Sequence, residues 1–278
     1  MTLSRSEIRT LLDEHGIRPS SALGQNFVAD PNTVRRVVRL SGVEAGRNVV
    51  EIGAGLGSLT LALAERGARV VAIEKDRRLV AILRTLVEAL EVRVVEADAV
   101  TMDWQELLGE GEWSLVANLP YNVATPVVMN VLEAASQVKT FTVMVQREVG
   151  ERLAAKPGSP AYGAVSVKVA YFGTAKVLGK VPASVFVPRP KVESALVRIE
   201  RRESVAVDPS EVSAGDLFRL VGAGFAGRRK MLRRSMAGLV DPSAFEAALI
   251  DPTARAEDLA VEDWGRLALH ATALGGGT

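Results

Sequence analysis

The chain has 278 residues, 48% hydrophobic and 24% charged, with a formal net charge of +1 and no cysteine. That balance fits one large globular domain with a smaller one, and near-neutrality means that any polyanion-binding surface is local. The missing cysteines exclude a disulfide framework, a Cys-ligated zinc site and carbon-5 methylation of pyrimidines through a cysteine adduct, while His15 and His270, near opposite ends, argue against a His-based metal or triad site.

The first 18 residues mix Arg5, Glu7, Arg9, Asp13 and Glu14 without an apolar core, unlike a signal peptide. No apolar run reaches the length of a membrane span. A soluble cytoplasmic protein is the expectation. Residues 49–52 form a short β-branched run ending in glycines, as a first parallel strand does. Residues 59–65 have helical spacing and 69–74 read as a second strand. Residues 79–90 place Leu79, Ile82, Leu83, Leu86 and Leu90 on one helical face. Strands follow at 92–95 and 113–117, a helix at 126–132 and a fifth strand at 141–145. This alternation predicts an α/β fold with a parallel, doubly wound sheet.

Past Gln146 the rhythm changes. Residues 147–155 read as helix and 156–160 as loop, with further strands expected at 165–172 and 192–199. Pro182, Pro188 and Pro190 make 181–190 a shaped loop. A charged hinge at 200–203 precedes helices at 214–225, 228–236, 242–249 and 261–274. A boundary near 200–205 divides residues 1–202 from a helical domain at 203–278, whose tail, 275–278, is expected to be disordered.

Gly53-Ala54-Gly55-Leu56-Gly57 follows the first strand and lets the backbone turn sharply beside a ligand. The bare pattern also occurs for packing reasons. Glu74, ending the second strand, is placed to take ribose hydroxyls, or else is a solvated acid paired with Lys75. Dinucleotide enzymes space their glycines for a pyrophosphate. The alternate-position glycines here suit S-adenosylmethionine, which carries no phosphate. Asp98 is equally compatible with accepting from an adenine amine and with capping a turn.

Asn118-Leu119-Pro120-Tyr121 closes the fourth strand. The exocyclic nitrogen of adenine is a poor nucleophile because its lone pair is delocalised. Acceptors for its protons, the Asn118 carboxamide oxygen and the Leu119 carbonyl held by Pro120, favour a more tetrahedral nitrogen. Tyr121 is a stacking plate for a flat base, or a core aromatic. Phe186, stiffened by the prolines after it, is a second plate, or core packing.

Together these residues resemble the KsgA/Dim1 family of small-subunit rRNA adenine dimethyltransferases. The motifs are Leu23-Gly24-Gln25-Asn26-Phe27, Glu51 to Gly57, Asn118 to Tyr121 with Asn122 and Thr125-Pro126, and Phe186-x-Pro188-x-Pro190-x-Val192-x-Ser194. A patch at Phe225, Arg228, Arg229, Lys230, Leu232 and Arg233 resembles the family's C-terminal domain. The resemblance spans residues from about 20 to 270. Val28, Ala54 and Ala117 are mild departures from its pattern, and the segment before Leu23 is poorer in basic residues than in many relatives.

The resemblance implies a Rossmann-like class I S-adenosylmethionine-dependent methyltransferase sheet with an N-terminal extension in 1–202, and a small all-α RNA- and ribosome-recognition domain in 203–278. It implies four methyl transfers from S-adenosylmethionine, two onto each of two adjacent adenosines near the 3′ end of 16S rRNA. It implies a small-ribosomal-subunit partner, no metal, no membrane and a monomer. The catalytic set is then Asn118, Leu119, Pro120, Tyr121 and Phe186, and the cofactor set Gln25, Asn26, Val28, Gly53, Gly55, Glu74, Asp98 and Asn118.

RNA contacts are expected at Arg228, Arg229, Lys230, Arg233 and Arg234, extended by Arg147 and Arg152, because phosphate neutralisation dominates affinity. On one helix, 229, 230, 233 and 234 share a side; a solvated basic face is the alternative. The rival functions are a large-subunit rRNA adenine methyltransferase of the antibiotic-resistance type, against which the Phe186 motif and the separate helical tail argue, and an assembly factor acting by binding; Leu119, where DNA-adenine and protein-glutamine enzymes carry a proline, argues for an rRNA enzyme.

Overall fold

A computed structural model describes residues 2–20 and 23–271. The expected tail at 275–278 and the end of the last predicted helix lie outside these residues. The chain packs as two compact units, Met1–Gly150 with Lys176–Glu200, and Glu151–Ala175 with Arg201–Thr278.

In the first unit α1 (Arg5–Glu14) begins at Ser4, whose hydroxyl accepts from the Glu7 N–H. After β1 (Phe27–Val28), α2 (Pro31–Ser41) starts at Asp30, whose carboxylate accepts from the Thr33 N–H at 2.9 Å. Then come β2 (Asn48–Ile52), α3 (Ser58–Glu65), β3 (Arg69–Glu74), α4 (Arg77–Val87), β4 (Val92–Glu96), α5 (Trp104–Leu108), β5 (Trp113–Asn118), α6 (Ala124–Ala134) and β6 (Val138–Gln146). The chain continues through α7 (Arg147–Leu153), α8 (Ala164–Phe172), β7 (Gly173–Val181), β8 (Phe186–Val187) and β9 (Ser194–Arg201).

The seven-stranded sheet has the order β4-β3-β2-β5-β6-β9-β7. Strands β4, β3, β2, β5 and β6 are parallel, and β9 is antiparallel to β6. The sheet is therefore mixed, a parallel core extended by late strands. Parallel strands bring their carboxyl ends to one edge. The glycine loop after β2, Glu74 on β3, Asp98 after β4 and Asn118 on β5 meet there for that reason. A separate two-stranded ribbon pairs Phe27 with Val187 and Val28 with Phe186. It ties the N-terminal motif to the late phenylalanine-proline motif. Leu63, Leu79, Leu83 and Val116 are fully buried in the core beneath.

The second unit is helical, with α9 (Ala214–Ala226), α10 (Leu232–Ser235), α11 (Pro242–Ala247) and α12 (Val261–His270) joining α8. Its core centres on Trp264, Leu220 and Met236, and the Tyr162 hydroxyl donates to Leu259 O at 2.9 Å.

Three expectations change. Residues 165–172 are helix rather than strand. Alternating Val165, Val167, Val169 and Tyr171 mimic a strand, but short apolar runs do not separate buried strand from buried helix. The Ser166 hydroxyl accepts from Gly163 N at 3.1 Å and donates to Arg152 O at 2.6 Å, which stabilises the helical start. Next, the division between units is not one cut at 202, because Tyr162, Val167 and Tyr171 are buried in the helical core. Finally, the expected helix at 228–236 shrinks to Leu232–Ser235.

Candidate functional site

The sheet's carboxyl edge encloses a cavity of about 220 Å³, and all eight residues of the expected cofactor set line it. Gly55 has φ +58°, and a Cβ there would stand 3.0 Å from the Phe27 ring, so a side chain is excluded. Its N–H donates to Glu74 Oε2 at 2.8 Å. Glu74 Oε1 accepts from the N–H groups of Lys75 and Asp76, each at 2.8 Å. Burial pushes the Glu74 carboxyl above the usual carboxylate range, and the three N–H donors hold it back. About four lone-pair positions exist on a carboxylate, so with three N–H donors in place about one remains open to a ligand hydroxyl.

Lys75 does not pair with Glu74. Its Nζ meets Asp98 Oδ2 at 2.7 Å, and this contact first, then the Val100 N–H, lowers the Asp98 pKa. Gln25 is a tether as well as a lining residue. Its Oε1 accepts from Ser20 N at 2.8 Å and its Nε2 donates to Asp76 Oδ2 at 3.0 Å. Gly24, at φ +65°, lies so close to the Asn-Leu-Pro-Tyr turn that a Cβ would sit 2.7 Å from Asn122 Oδ1 and 3.0 Å from Pro120 Cβ. The N-terminal loop and the β5 turn are thus fitted to one another.

Asn118 Nδ2 donates to Asn26 O at 2.9 Å, which fixes the orientation of the carboxamide. Its Oδ1 is buried and has no hydrogen-bond partner among the described residues. Such a group is rare in a folded protein and costs about 1–3 kcal/mol until a donor reaches it. Leu119 is buried and its N–H donates to Met144 O at 3.0 Å. Pro120 lines the cavity, whereas Leu119, Tyr121 and Phe186 do not.

The half-buried Tyr121 is anchored by its hydroxyl to Ser194 Oγ at 2.6 Å, and burial raises its pKa. Phe186 is fully buried in the core beside β1, so the expectation of an open second plate gives way to its packing alternative. β-pairing to Val28 turns the ring inward.

Sequence reasoning gave no role to three polar residues. Glu51 lines the cavity, is 2% exposed, and accepts from the Thr60 hydroxyl at 2.5 Å. Ser58, the first residue of α3, also lines the cavity, with a buried hydroxyl that lacks a partner among the described residues. Acidic and hydroxyl residues flanking a glycine turn on an apolar strand and helix were the available signal.

The glycine cradle, the open side of Glu74, the unpartnered Ser58 hydroxyl beside a helix N-terminus and an apolar floor of Ile73 and Leu79 fit an adenosine with a zwitterionic amino-acid tail.

The expected basic patch is assembled differently. Lys230 N donates to Gly227 O in a turn, so Arg229 and Lys230 precede the short helix bearing Arg233 and Arg234. All four side chains are exposed. Arg228 is tied to Glu257 Oε2 at 2.9 Å and Pro160 O at 2.6 Å. A distant acid thus supplies the partner that the local sequence lacks. Arg147 pairs with Glu193 at 3.2 Å in the first unit, and exposed Arg152 falls in the second.

A family model described as ribosomal RNA adenine dimethylase matches residues 17–272. Ribosomal RNA small subunit methyltransferase A of Kineococcus radiotolerans is 48% identical over 280 residues, covering 96% of this chain and 91% of its own. The Bifidobacterium adolescentis protein of the same name is 44% identical over 281 residues, covering 96% and 93%. Among solved structures, the 23S rRNA methyltransferase ErmE aligns with a TM-score of 0.70 and 26% identity, covering 87% of this chain and 98% of its own. A dimethyladenosine transferase from Plasmodium falciparum shares the fold, with a TM-score of 0.72, 22% identity, and coverage of 86% and 94%.

Proposed function

The chain belongs to the ribosomal RNA adenine dimethylase family, and from that premise we propose that it dimethylates the N6 amines of two adjacent adenosines near the 3′ end of small-subunit (16S) rRNA, using S-adenosylmethionine. The observation that carries this reading is the buried, unpartnered Asn118 Oδ1 at the edge of the cavity. An exocyclic amine supplies the donor that this oxygen lacks.

S-adenosylmethionine, when bound, supplies an already activated sulfonium methyl, so no general base is needed before attack. Glu74 holds a ribose hydroxyl on its open side, and Asp98, braced by Lys75, accepts from the adenine amine. Gln25, Asn26 and Val28 close the cavity from the N-terminal loop, with Gly53 and Gly55 leaving the ligand room. Asn118 Oδ1 and the Leu119 carbonyl, set by Pro120, accept from the target N6 protons and draw the lone pair out of the ring. Alignment of that lone pair is the protein's main contribution. Tyr121 stacks on the target base at an angle fixed by Ser194. Phe186 acts from beneath, through the Val28 strand.

Arg229, Lys230, Arg233 and Arg234 offer a phosphate-binding edge on the helical unit, with Arg228 and Arg147 contributing around their own ion pairs and exposed Arg152 adding a further charge. The cytoplasm is the proposed site of action. A monomer is the proposed state.

The test is transfer of labelled methyl to small ribosomal subunits lacking the modification, with large subunits in parallel. Label recovered as N6,N6-dimethyladenosine at two adjacent small-subunit positions is expected. Label on the large subunit instead makes the ErmE-like reading the better one, and binding without label leaves an assembly factor.

A further inference from the structure

Of the three carboxyl groups that line the cavity, Glu51 and Glu74 are treated very differently. Glu74 receives three backbone N–H donors. Glu51, fully enclosed on β2, receives one hydroxyl, from Thr60, which is itself 0% exposed. A buried carboxylate with one neutral donor is poorly stabilised. The other charged groups here do not relieve it. Glu74, from β3, adds repulsion. Lys75 is engaged by Asp98 at 2.7 Å, and Arg78 by Asp76 at 2.7 Å. From β5 the cavity receives neutral Asn118, and from α3 the hydroxyl of Ser58. Among the described residues no cation is placed to balance Glu51, while the space beside it fits a ligand. The group missing from this arrangement is a positive charge brought by the ligand.

We propose that Glu51 reads the charge of the bound ligand, keeping a proton when the cavity is empty or holds S-adenosylhomocysteine and releasing it when S-adenosylmethionine binds. This rests on the cofactor assignment above. The two ligands differ by one methyl group and one positive charge. The donor carries a sulfonium, an ammonium and a carboxylate; the product lacks the sulfonium charge.

Burial, opposed by Thr60 and reinforced by Glu74, pushes the Glu51 carboxyl to about 8 when no ligand is present, so at neutral pH a ligand cation tips it. Ionised Glu51 then adds attraction for the donor alone. In the transfer the methyl carbon–sulfur bond breaks, its electron pair stays on sulfur, a carbon–nitrogen bond forms, and the surplus proton leaves the amine for water. Glu51 then faces a ligand of zero net charge, whose ammonium is offset by its own carboxylate, takes a proton back from water and loses its hold on the product. An enzyme that must exchange product for donor repeatedly gains from such a discriminator.

The experiment is titration calorimetry of the full chain with each ligand, in buffers of different ionisation enthalpy, which counts protons exchanged on binding. At pH 7 the wild type is expected to release up to about one proton more with S-adenosylmethionine than with S-adenosylhomocysteine, and its preference for the donor to rise by up to about tenfold between pH 6 and 7. Both ligands carry an α-amine that titrates near neutrality, at about 7.7–8.0, and Glu51→Gln, which keeps the shape and holds no titrating proton, subtracts that contribution.

In Glu51→Gln the excess proton release and the slope of preference should vanish. Thr60→Val removes the one donor to the carboxylate and should move the proton release to higher pH. Equal proton release with both ligands, or an unchanged excess in Glu51→Gln, overturns the proposal. If Glu51→Gln does not fold, the two-ligand comparison on the wild type and the Thr60→Val shift still decide. Failure of S-adenosylmethionine to bind at all would count against the cofactor assignment instead.

Discussion

The cofactor end and the base end of the cavity are built on opposite plans. At the cofactor end the protein satisfies most of its own acceptor, since Glu74 takes N–H groups from Gly55, Lys75 and Asp76 before any ligand arrives. At the base end the protein leaves an acceptor bare, Asn118 Oδ1, after using the amide nitrogen of the same side chain to fix its direction. The first plan couples ligand affinity to folding stability, because the same carboxylate serves both. The second separates them: an unsatisfied buried oxygen costs the free protein stability, and its value appears only when an amine reaches it.

The sharpest way to break this comparison is Asn118→Ala. Single-turnover methyl transfer should fall by about 10²–10³-fold, the cost typical of losing one preorganised hydrogen-bond partner. The unfolding midpoint should move little, because the deleted oxygen had no partner and only the Asn26 contact is lost. A large loss of stability would make Asn118 a structural residue and erase the contrast. Glu74→Ala should behave oppositely. It strands three backbone donors, so stability should drop by about 2–4 kcal/mol along with cofactor affinity, measurable by denaturant unfolding and by calorimetric titration. Preserved stability would mean that the backbone donors find other partners.

The contrast also explains what could be read from sequence. The parallel sheet was legible because β-branched strand ends alternate with helical spacing, and a parallel sheet necessarily gathers the ends of its strands. Every residue expected at the cofactor therefore reached one cavity. Phe186 was not legible as a core residue, because its burial depends on pairing with Val28 across a long sequence separation. The role of Arg228 was hidden likewise, its partner Glu257 lying outside any local window. Residues 165–172 show the limit of periodicity, since alternating valines served a helix buried among other helices. Glu51 stood in plain view beside the glycines, but only burial reveals that it lacks the donors Glu74 enjoys.

A smaller effect sharpens the cofactor side. The Asp76 carboxyl, held by Arg78 first and then Gln25, is lowered from 3.8 to about 2. A depressed acid contributes stability that is present above its unfolded pKa and lost as pH falls through its folded one. Stability should therefore decline between about pH 4 and 2, with this group supplying about 1–2 kcal/mol after allowance for the exposed Arg78 partner. Asp76→Asn should flatten that part of the acid limb. Because Gln25 donates to the same carboxylate, the variant should also loosen the N-terminal loop, seen as faster amide exchange at Gly24 to Asn26. An unchanged acid limb would assign the decline to other carboxylates.

The smallest predicted effect tests whether the base end holds its aromatic residue by aim or by bulk. Tyr121→Phe keeps the ring and removes the hydroxyl that meets Ser194 Oγ at 2.6 Å. Ser194 is 0% exposed on β9, so its hydroxyl is left without that partner and stability should fall by about 1 kcal/mol. Methyl transfer should drop by a few-fold, about the factor that 0.5–1 kcal/mol carries, because the stacking surface survives while its angle is freed. Adding Ser194→Ala removes the stranded hydroxyl. The double variant should then regain much of the lost stability while its transfer rate stays low. Recovery of rate together with stability would show that the hydroxyl pair serves packing alone, and that the ring needs no fixed angle to present the base to Asn118.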